Sequence, residues 1–193
     1  MAKIKELFLS SCKELKDVKC LTLAAMFGAI SIVLGSFTIM MTENIKLEWT
    51  FLPNEFVYYL FGPFVGIIYG AVMDILNYIV KPFGSFFPGF TVSAMLKGLL
   101  FGLILYKRPI SLKRVITANV LRVILVDLPL NTYWLTVLNG VPYLVNLPLR
   151  ALKLLIMFPV ETMLFYLLVK GVEASGVLRM LGKDKEKVRA KAK

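Results

Sequence analysis

The amino-acid sequence predicts an all-α integral membrane protein with six transmembrane helices and both termini in the cytoplasm. Hydrophobic residues make up 58% of the 193 residues, the mean hydropathy is +0.75 and only 18% of the residues are charged. A soluble globular domain is less apolar than this. The net charge of +11 is gathered in blocks beside apolar segments, which is typical of cytoplasmic flanks near anionic lipid and not of a nucleic-acid-binding surface.

These basic blocks determine the predicted number of helices. One block precedes the first apolar segment, one spans 107–114 and one fills the C-terminal tail. If the first two are cytoplasmic, an even number of helices must separate them. The apolar stretch 51–80 would be ~45 Å long as one helix, whereas the hydrocarbon core of a bilayer is ~30 Å thick. We therefore divide it at Gly62 and Pro63, because proline ends one helix and starts the next.

The predicted chain has three parts. A basic N-terminal segment at 1–17 precedes a membrane domain at 18–172, and a basic tail follows at 173–193. The first helix is too long and too well flanked by charge for a cleaved signal peptide, so it stays as a membrane span. The six predicted helices lie at about 18–41, 51–61, 63–80, 89–106, 115–138 and 147–170.

The fifth predicted span carries polar residues at membrane depth. Arg122, Asp127 and Asn131 lie in an otherwise apolar stretch, and a charge there costs about 2.5–3.5 kcal/mol, so we expect a functional role and a partner for each. Asp127, Asn131 and Trp134 are spaced four and three apart, which places them on one helix face. Such a face could hold a flat polar ligand. A buried polar cluster that holds helices together is the alternative.

Three further features concern charge and helix contact. Asp74 and Lys97 lie near the middle of adjacent antiparallel spans and are predicted to form a structural ion pair. Arg150 lies near the outer end of the last span, where its planar donors could bind a carboxylate that arrives from outside. Ala25 and Ala29 are four residues apart on the first span, so they allow close approach of another helix, from the same bundle or from a partner.

The sequence argues against an enzyme. It contains no histidine, the commonest general base and metal ligand. It also contains no Walker A phosphate loop, no serine nucleophile elbow and no cluster of metal-ligand motifs. We therefore expect no cofactor, no metal site and no nucleotide hydrolysis by this chain.

A series of short motifs follows in order from about Leu21 to Val169. They are Phe51-Leu-Pro-Asn54, Leu60-Phe-Gly-Pro63, the neighbourhood of Asp74, Phe87-Pro-Gly-Phe-Thr-Val-Ser93, Asn131-Thr-Tyr-Trp134 and Leu147-Pro-Leu-Arg150. In their order and spacing across six spans, they resemble the substrate-binding S components of energy-coupling factor (ECF) vitamin transporters, most closely the folate-specific branch.

The resemblance implies a function and partners. An S component of this branch binds folate from outside with high affinity and delivers it through an ATP-driven complex in the plasma membrane. A transmembrane coupling subunit and a pair of ATPase subunits complete that complex. The resemblance assigns Ala25 and Ala29 to contact with the coupling subunit. It also places Trp49, Phe87 and Phe90 beside loops that act as a lid.

The chemistry of folate divides the candidate binding residues into three groups. A pterin edge needs acceptors for its amino and ring N–H groups, the aminobenzoate needs aromatic walls, and the glutamate tail needs cations. The candidates, in that order, are Asp127 and Asn131; Trp134, Phe87, Phe90 and Trp49; and Arg150 and Lys153. Two alternatives remain open, namely an S component for another vitamin or related small molecule, and a self-sufficient proton-coupled carrier built on the intramembrane acids.

Overall fold

The computed structural model describes residues 2–37, 39–42, 45–47, 49–82, 84–140 and 142–176. Five helical segments within this part of the chain are long and apolar enough to cross a membrane. The elements are α1 (Ala2–Glu14), α2 (Val18–Ser36), β1 (Ile39–Thr42), β2 (Ile45–Leu47), α3 (Phe51–Val80), α4 (Pro88–Leu105), α5 (Leu112–Arg122), α6 (Pro129–Asn139) and α7 (Tyr143–Ala174); a π-helical segment, Val123–Asp127, joins α5 to α6.

The fold departs from the predicted one at two places near the first span. That span ends at Ser36 instead of continuing to about residue 41, and the following loop contains the antiparallel pair β1–β2. The predicted all-α membrane architecture is confirmed, and this short hairpin is an addition that the sequence analysis did not predict. The basic segment before the first span forms α1, which packs against α3.

The long helix α3 folds back on itself at Gly62. This glycine has φ +88° and ψ −171°, a conformation that side chains with a Cβ rarely adopt. The hydroxyl of Tyr69 donates to Asn54 Oδ1 at 3.2 Å, and the rings of Tyr58 and Tyr69 lie 6.0 Å apart. In a straight helix residues 54 and 69 would be about 22 Å apart. The predicted break at Gly62–Pro63 is confirmed, and α3 contributes two antiparallel helices, α3a (51–61) and α3b (63–80).

Ser11 of α1 caps this turn. Its hydroxyl donates to the carbonyl oxygen of Phe61 at 2.6 Å and accepts from the backbone N–H groups of Phe64 and Val65, each at 3.1 Å. These backbone groups flank a helix break, where a helix leaves donors and acceptors without partners. Ser11 is fully buried, so a residue from the basic N-terminal segment completes the turn between α3a and α3b.

We expect Ser11→Ala to lower the thermal stability of the purified protein, because it leaves the backbone groups of Phe61, Phe64 and Val65 buried without their hydroxyl partner. Each buried polar group without a partner costs about 1–3 kcal/mol. The measurement is the melting temperature in detergent, and Ser10→Ala is the matched control. Ser10 donates to the carbonyl of Leu7 within its own helix and contacts the Tyr106 hydroxyl at 3.4 Å, but neither contact reaches the turn of α3. Equal melting temperatures for the two variants would contradict the capping role.

The second half of α3 and the helix α4 pack with their backbones in contact. A Cβ atom on Gly98 would lie 2.1 Å from the carbonyl oxygen of Gly66, and one on Gly70 would lie 2.6 Å from the carbonyl oxygen of Ala94. Only glycine fits at such a distance. The pair α3b–α4 therefore forms a closely packed unit that supports one side of the cavity described below.

The small residues of α2 lie on two different faces. Ala24 packs against the hydrophobic core, and a Cβ atom on Gly28 would lie 3.1 Å from Met73 Sδ. Ala25 and Ala29 are exposed. Close packing within the bundle therefore uses Ala24 and Gly28 and leaves the face of Ala25 and Ala29 uncovered.

Candidate functional site

A cavity of about 620 Å³ lies between the helices and is bounded by residues of α2 to α7, of the π-helical segment and of the segment before α4. Its volume falls within the range of about 300–1,000 Å³ that small-molecule sites occupy. Six of the eight predicted binding residues line it, together with both members of the predicted ion pair. These residues are Asp127, Asn131, Arg150, Lys153, Phe87 and Phe90, with Asp74 and Lys97.

The two predicted tryptophans do not line the cavity. Trp134 lies behind Phe87, at 5.5 Å between ring centroids, and its indole N–H donates to Ser93 Oγ at 3.1 Å. It therefore supports an aromatic wall whose cavity-facing members are Phe87 and Phe90. Trp49, just before α3a, is also absent from the cavity lining. The spacing in the sequence predicted that Trp134 lies on the same helix face as Asn131. In the structure its ring packs against Phe87 and Ser93 and does not line the cavity.

A buried ionic network centred on Arg122 lies at the cavity wall. Its Nη1 lies 3.1 Å from Glu55 Oε1, its Nε lies 3.1 Å from Asp127 Oδ2, and its Nη2 donates to Glu161 Oε2. Arg122 is only 5% exposed. Because the three carboxylates come from α3a, the π-helical segment and α7, one guanidinium connects three parts of the bundle. Sequence analysis identified Arg122 as an intramembrane charge but not as the centre of this network.

Lys97 lies within ion-pair distance of a carboxylate other than the predicted one. Lys97 Nζ lies 2.8 Å from Asp127 Oδ1, so Lys97 forms an ion pair with Asp127 that the sequence analysis did not predict, and the pair with Asp74 stays a prediction. Asp74 Oδ2 accepts a hydrogen bond from the hydroxyl of Thr91 at 2.7 Å. Asp74 and Lys97 were predicted from their similar depth in adjacent helices, but depth alone does not specify which carboxylate a lysine reaches.

The π-helical segment explains how Arg122 and Asp127 meet. Within it the N–H of Leu128 donates to the carbonyl of Val123, five residues earlier, at 2.9 Å. A helical turn widened in this way places residues that are five apart over one another, whereas in an α-helix they lie on different faces. Pro129, which has no N–H to continue the ladder, follows directly. The widened turn therefore allows Arg122 and Asp127 to form their ion pair within one helix.

Asp127 is engaged on both of its oxygens. Oδ2 faces Arg122, while Oδ1 faces Lys97 and accepts from Asn131 Nδ2 at 3.0 Å. The geometry therefore favours a supporting role for Asp127, which holds the amide of Asn131. The Oδ1 atom of Asn131 is buried and has no hydrogen-bond partner among the described residues. Arg150 Nη1 donates to the backbone carbonyl of Asn131 at 3.2 Å, so three of the predicted residues are brought into one cluster.

Glu55 is a cavity residue that the sequence did not single out for binding. It is 3% exposed and lines the cavity. One carboxylate oxygen pairs with Arg122, and the other, Oε2, is buried without a hydrogen-bond partner in the described part of the chain. The sequence does mark Glu55 in one way, because it is the only charged residue in the apolar segment 51–61.

Comparison with known proteins identifies the family. The family model described as the substrate-specific component of ECF transporters matches residues 19–181. The chain belongs to this family. The resemblance predicted from the sequence motifs is confirmed, and so is the prediction that the chain is not an enzyme, because the family is a transporter component.

Individual relatives agree with this assignment. This chain, called the S component below, is 32% identical over 169 residues to the folate transporter FolT of Clostridium novyi (strain NT). The alignment covers 88% of this chain and 98% of the relative. The chain is 28% identical over 161 residues to FolT of Leuconostoc mesenteroides, with coverage of 80% and 86%. A crystal structure of FolT bound with folic acid matches with a TM-score of 0.73 and 31% identity, covering 79% of this chain and 93% of that one. The S component is therefore a multi-pass membrane protein.

Proposed function

We propose that this S component binds folate in the cavity and delivers it to an ATP-driven ECF complex. The observation that carries the proposal is that aromatic rings, cations and an unpaired amide oxygen occur together in one cavity of about 620 Å³. The similarity to FolT proteins, one of them bound to folic acid, supports the same ligand.

The cavity offers a matching group for each part of folate. Asn131 Oδ1 can accept from the N–H groups of the pterin, and Phe87 and Phe90 can pack against the aminobenzoate. Arg150 and Lys153 carry the positive charge for the glutamate carboxylates, and Arg150 can offer paired N–H donors to a carboxylate. All five residues line the cavity.

The orientation in the membrane follows from the distribution of charge. Both termini are cytoplasmic in this proposal, and the segments that join the spans on the other side are poor in lysine and arginine. Folate then enters from outside the plasma membrane. The exposed face of Ala25 and Ala29 contacts the transmembrane coupling subunit, and a pair of ATPase subunits supplies the energy.

A binding measurement on the purified S component tests the ligand. We expect a pterin-absorbing compound to copurify with the protein in detergent, and folate to bind to protein that has been stripped of it. Binding of a different vitamin without competition from folate would indicate an S component of other specificity. Ligand-driven proton uptake by liposomes that contain this chain alone would instead indicate a proton-coupled carrier.

We expect Ala25→Trp and Ala29→Trp to abolish folate uptake by cells that contain the complete transporter, while folate binding to the purified S component remains. An indole on this face keeps a partner helix from approaching closely, and the face lies outside the cavity lining. The measurements are uptake of labelled folate and titration of the purified variants.

Ile30→Trp is the matched control for the two alanine variants. Ile30 is also exposed on α2, but it lies about 100° around the helix from Ala29. We expect this variant to keep uptake. Loss of folate binding in Ala25→Trp or Ala29→Trp, or equal loss of uptake in all three variants, would contradict the assignment of this face to the coupling subunit.

A further inference from the structure

Two cavity residues carry buried acceptor atoms without donors. Glu55 Oε2 and Asn131 Oδ1 have no hydrogen-bond partner among the described residues. Both residues line the same cavity, and they are 3% and 6% exposed. Buried polar atoms in folded proteins are almost always hydrogen-bonded, and the exceptions call for an explanation. A ligand that brings N–H donors into the cavity would satisfy both atoms.

Arg122 holds one oxygen of the Glu55 carboxylate, and the other oxygen is buried without a donor among the described residues. Oε1 is fixed by Arg122 Nη1 at 3.1 Å, and the same guanidinium is fixed by Asp127 and Glu161. Asp127 differs, because both of its oxygens already face cations. Among the carboxylates of this network, Glu55 therefore combines full burial with an unpaired oxygen.

We propose that Glu55 is a specificity-determining residue whose carboxylate accepts hydrogen bonds from the N–H groups along one edge of the bound ring. With Oε1 paired to Arg122, the carboxylate in its ionised form accepts hydrogen bonds at Oε2, which matches a ligand edge with adjacent N–H groups, such as the exocyclic amine and ring N–H of a 2-amino-4-oxopyrimidine. Asn131 Oδ1 accepts from the same ring, and Arg122 acts as a positioning residue. The inference rests on the proposed function, since the pterin of folate presents this edge.

The test removes one donor from the ligand and one charge from the protein. Folate and its 2-desamino analogue are titrated against the wild-type protein and against Glu55→Gln and Glu161→Gln. Both substitutions remove a negative charge beside Arg122, but only Glu55 has the buried unpaired oxygen. We expect the wild-type protein to bind folate at least about tenfold more tightly than the analogue, as is typical of a charge-assisted hydrogen bond.

The preference for folate over the analogue should shrink by about tenfold in Glu55→Gln, because a neutral acceptor forms a weaker hydrogen bond than a charged one. It should persist in Glu161→Gln. A preference that is unchanged in Glu55→Gln would overturn the proposal, as would a wild-type protein that binds both ligands equally. The second outcome needs no variant and so does not depend on the folding of Glu55→Gln.

Glu55→Asp provides a second variant that keeps the negative charge beside Arg122 and withdraws the carboxylate by one methylene group. We expect the same reduced preference for folate, and a preference equal to that of the wild type would also overturn the proposal. If the wild-type protein binds neither folate nor the analogue, the proposed function itself fails. If it binds folate but discriminates independently of Glu55, only this inference fails.

Discussion

Arg122→Ala is expected to prevent the S component from accumulating in the membrane as a folded protein. Glu55, Asp127 and Glu161 all pair with this guanidinium, which is 5% exposed. Removing one partner of a buried ion pair costs about 3–5 kcal/mol, and here three carboxylates lose the same partner. Since proteins are stable by only about 5–15 kcal/mol, this single substitution removes much of the stability of the fold.

The expression level and melting temperature of the variant measure this effect. Arg108→Ala is the matched control, because Arg108 is exposed and its Nη1 contacts only the carbonyl of Ile104 at 3.5 Å among the described groups. Arg122→Lys keeps the charge but not the planar set of donors, so we expect it to recover part of the loss. A melting temperature for Arg122→Ala like that of Arg108→Ala would contradict the structural role of the network.

Arg150→Ala is expected to weaken folate binding by about ten- to a hundredfold, which corresponds to roughly 1.5–3 kcal/mol for a charge-assisted bidentate interaction. A pterin analogue without glutamate should lose much less affinity. Asn131→Ala should weaken both ligands, because both present the pterin edge to its amide. Titration of the two variants with the two ligands measures these differences.

Arg150 also contacts the protein, since it donates to the backbone carbonyl of Asn131. The melting temperature of the ligand-free variant therefore has to be measured beside its affinity. Lys170→Ala is the matched control, because Lys170 is an exposed cation near the other end of α7. Equal weakening of both ligands by Arg150→Ala, or weakening of neither, would contradict the proposed orientation of folate.

The sequence predicted the parts of this fold that depend on length, composition and backbone chemistry. The break at Gly62 follows from the limit that the bilayer sets on helix length and from the properties of proline. The last four spans lie within a few residues of their predicted positions, because apolar runs bounded by charge and turn residues fix their extent. These features depend on neighbours along the chain and not on the packing of one helix against another.

The ionic partners and the ring positions were predicted less well. Lys97 pairs with Asp127 because the rotation of each helix, and not its depth alone, decides which side chains meet. The rotation of the fifth span changes at its π-helical turn, and no simple sequence pattern predicts that turn. Trp134 lies outside the cavity lining because its indole N–H is hydrogen-bonded to Ser93. The predicted cluster around Asn131 is present, but its internal hydrogen bonds depend on contacts between distant parts of the chain.

The cap that Ser11 places on the turn of α3 has a consequence for biosynthesis. Ser11 lies 50 residues before Phe61, whose carbonyl it satisfies. During translation α1 leaves the ribosome before α3, and the backbone groups that Ser11 caps are absent until the turn at Gly62 has formed. The α3 hairpin must therefore insert with its polar turn uncapped, and α1 docks afterwards. The helix α1 is synthesised before the turn that it caps, yet it can dock only after that turn has formed.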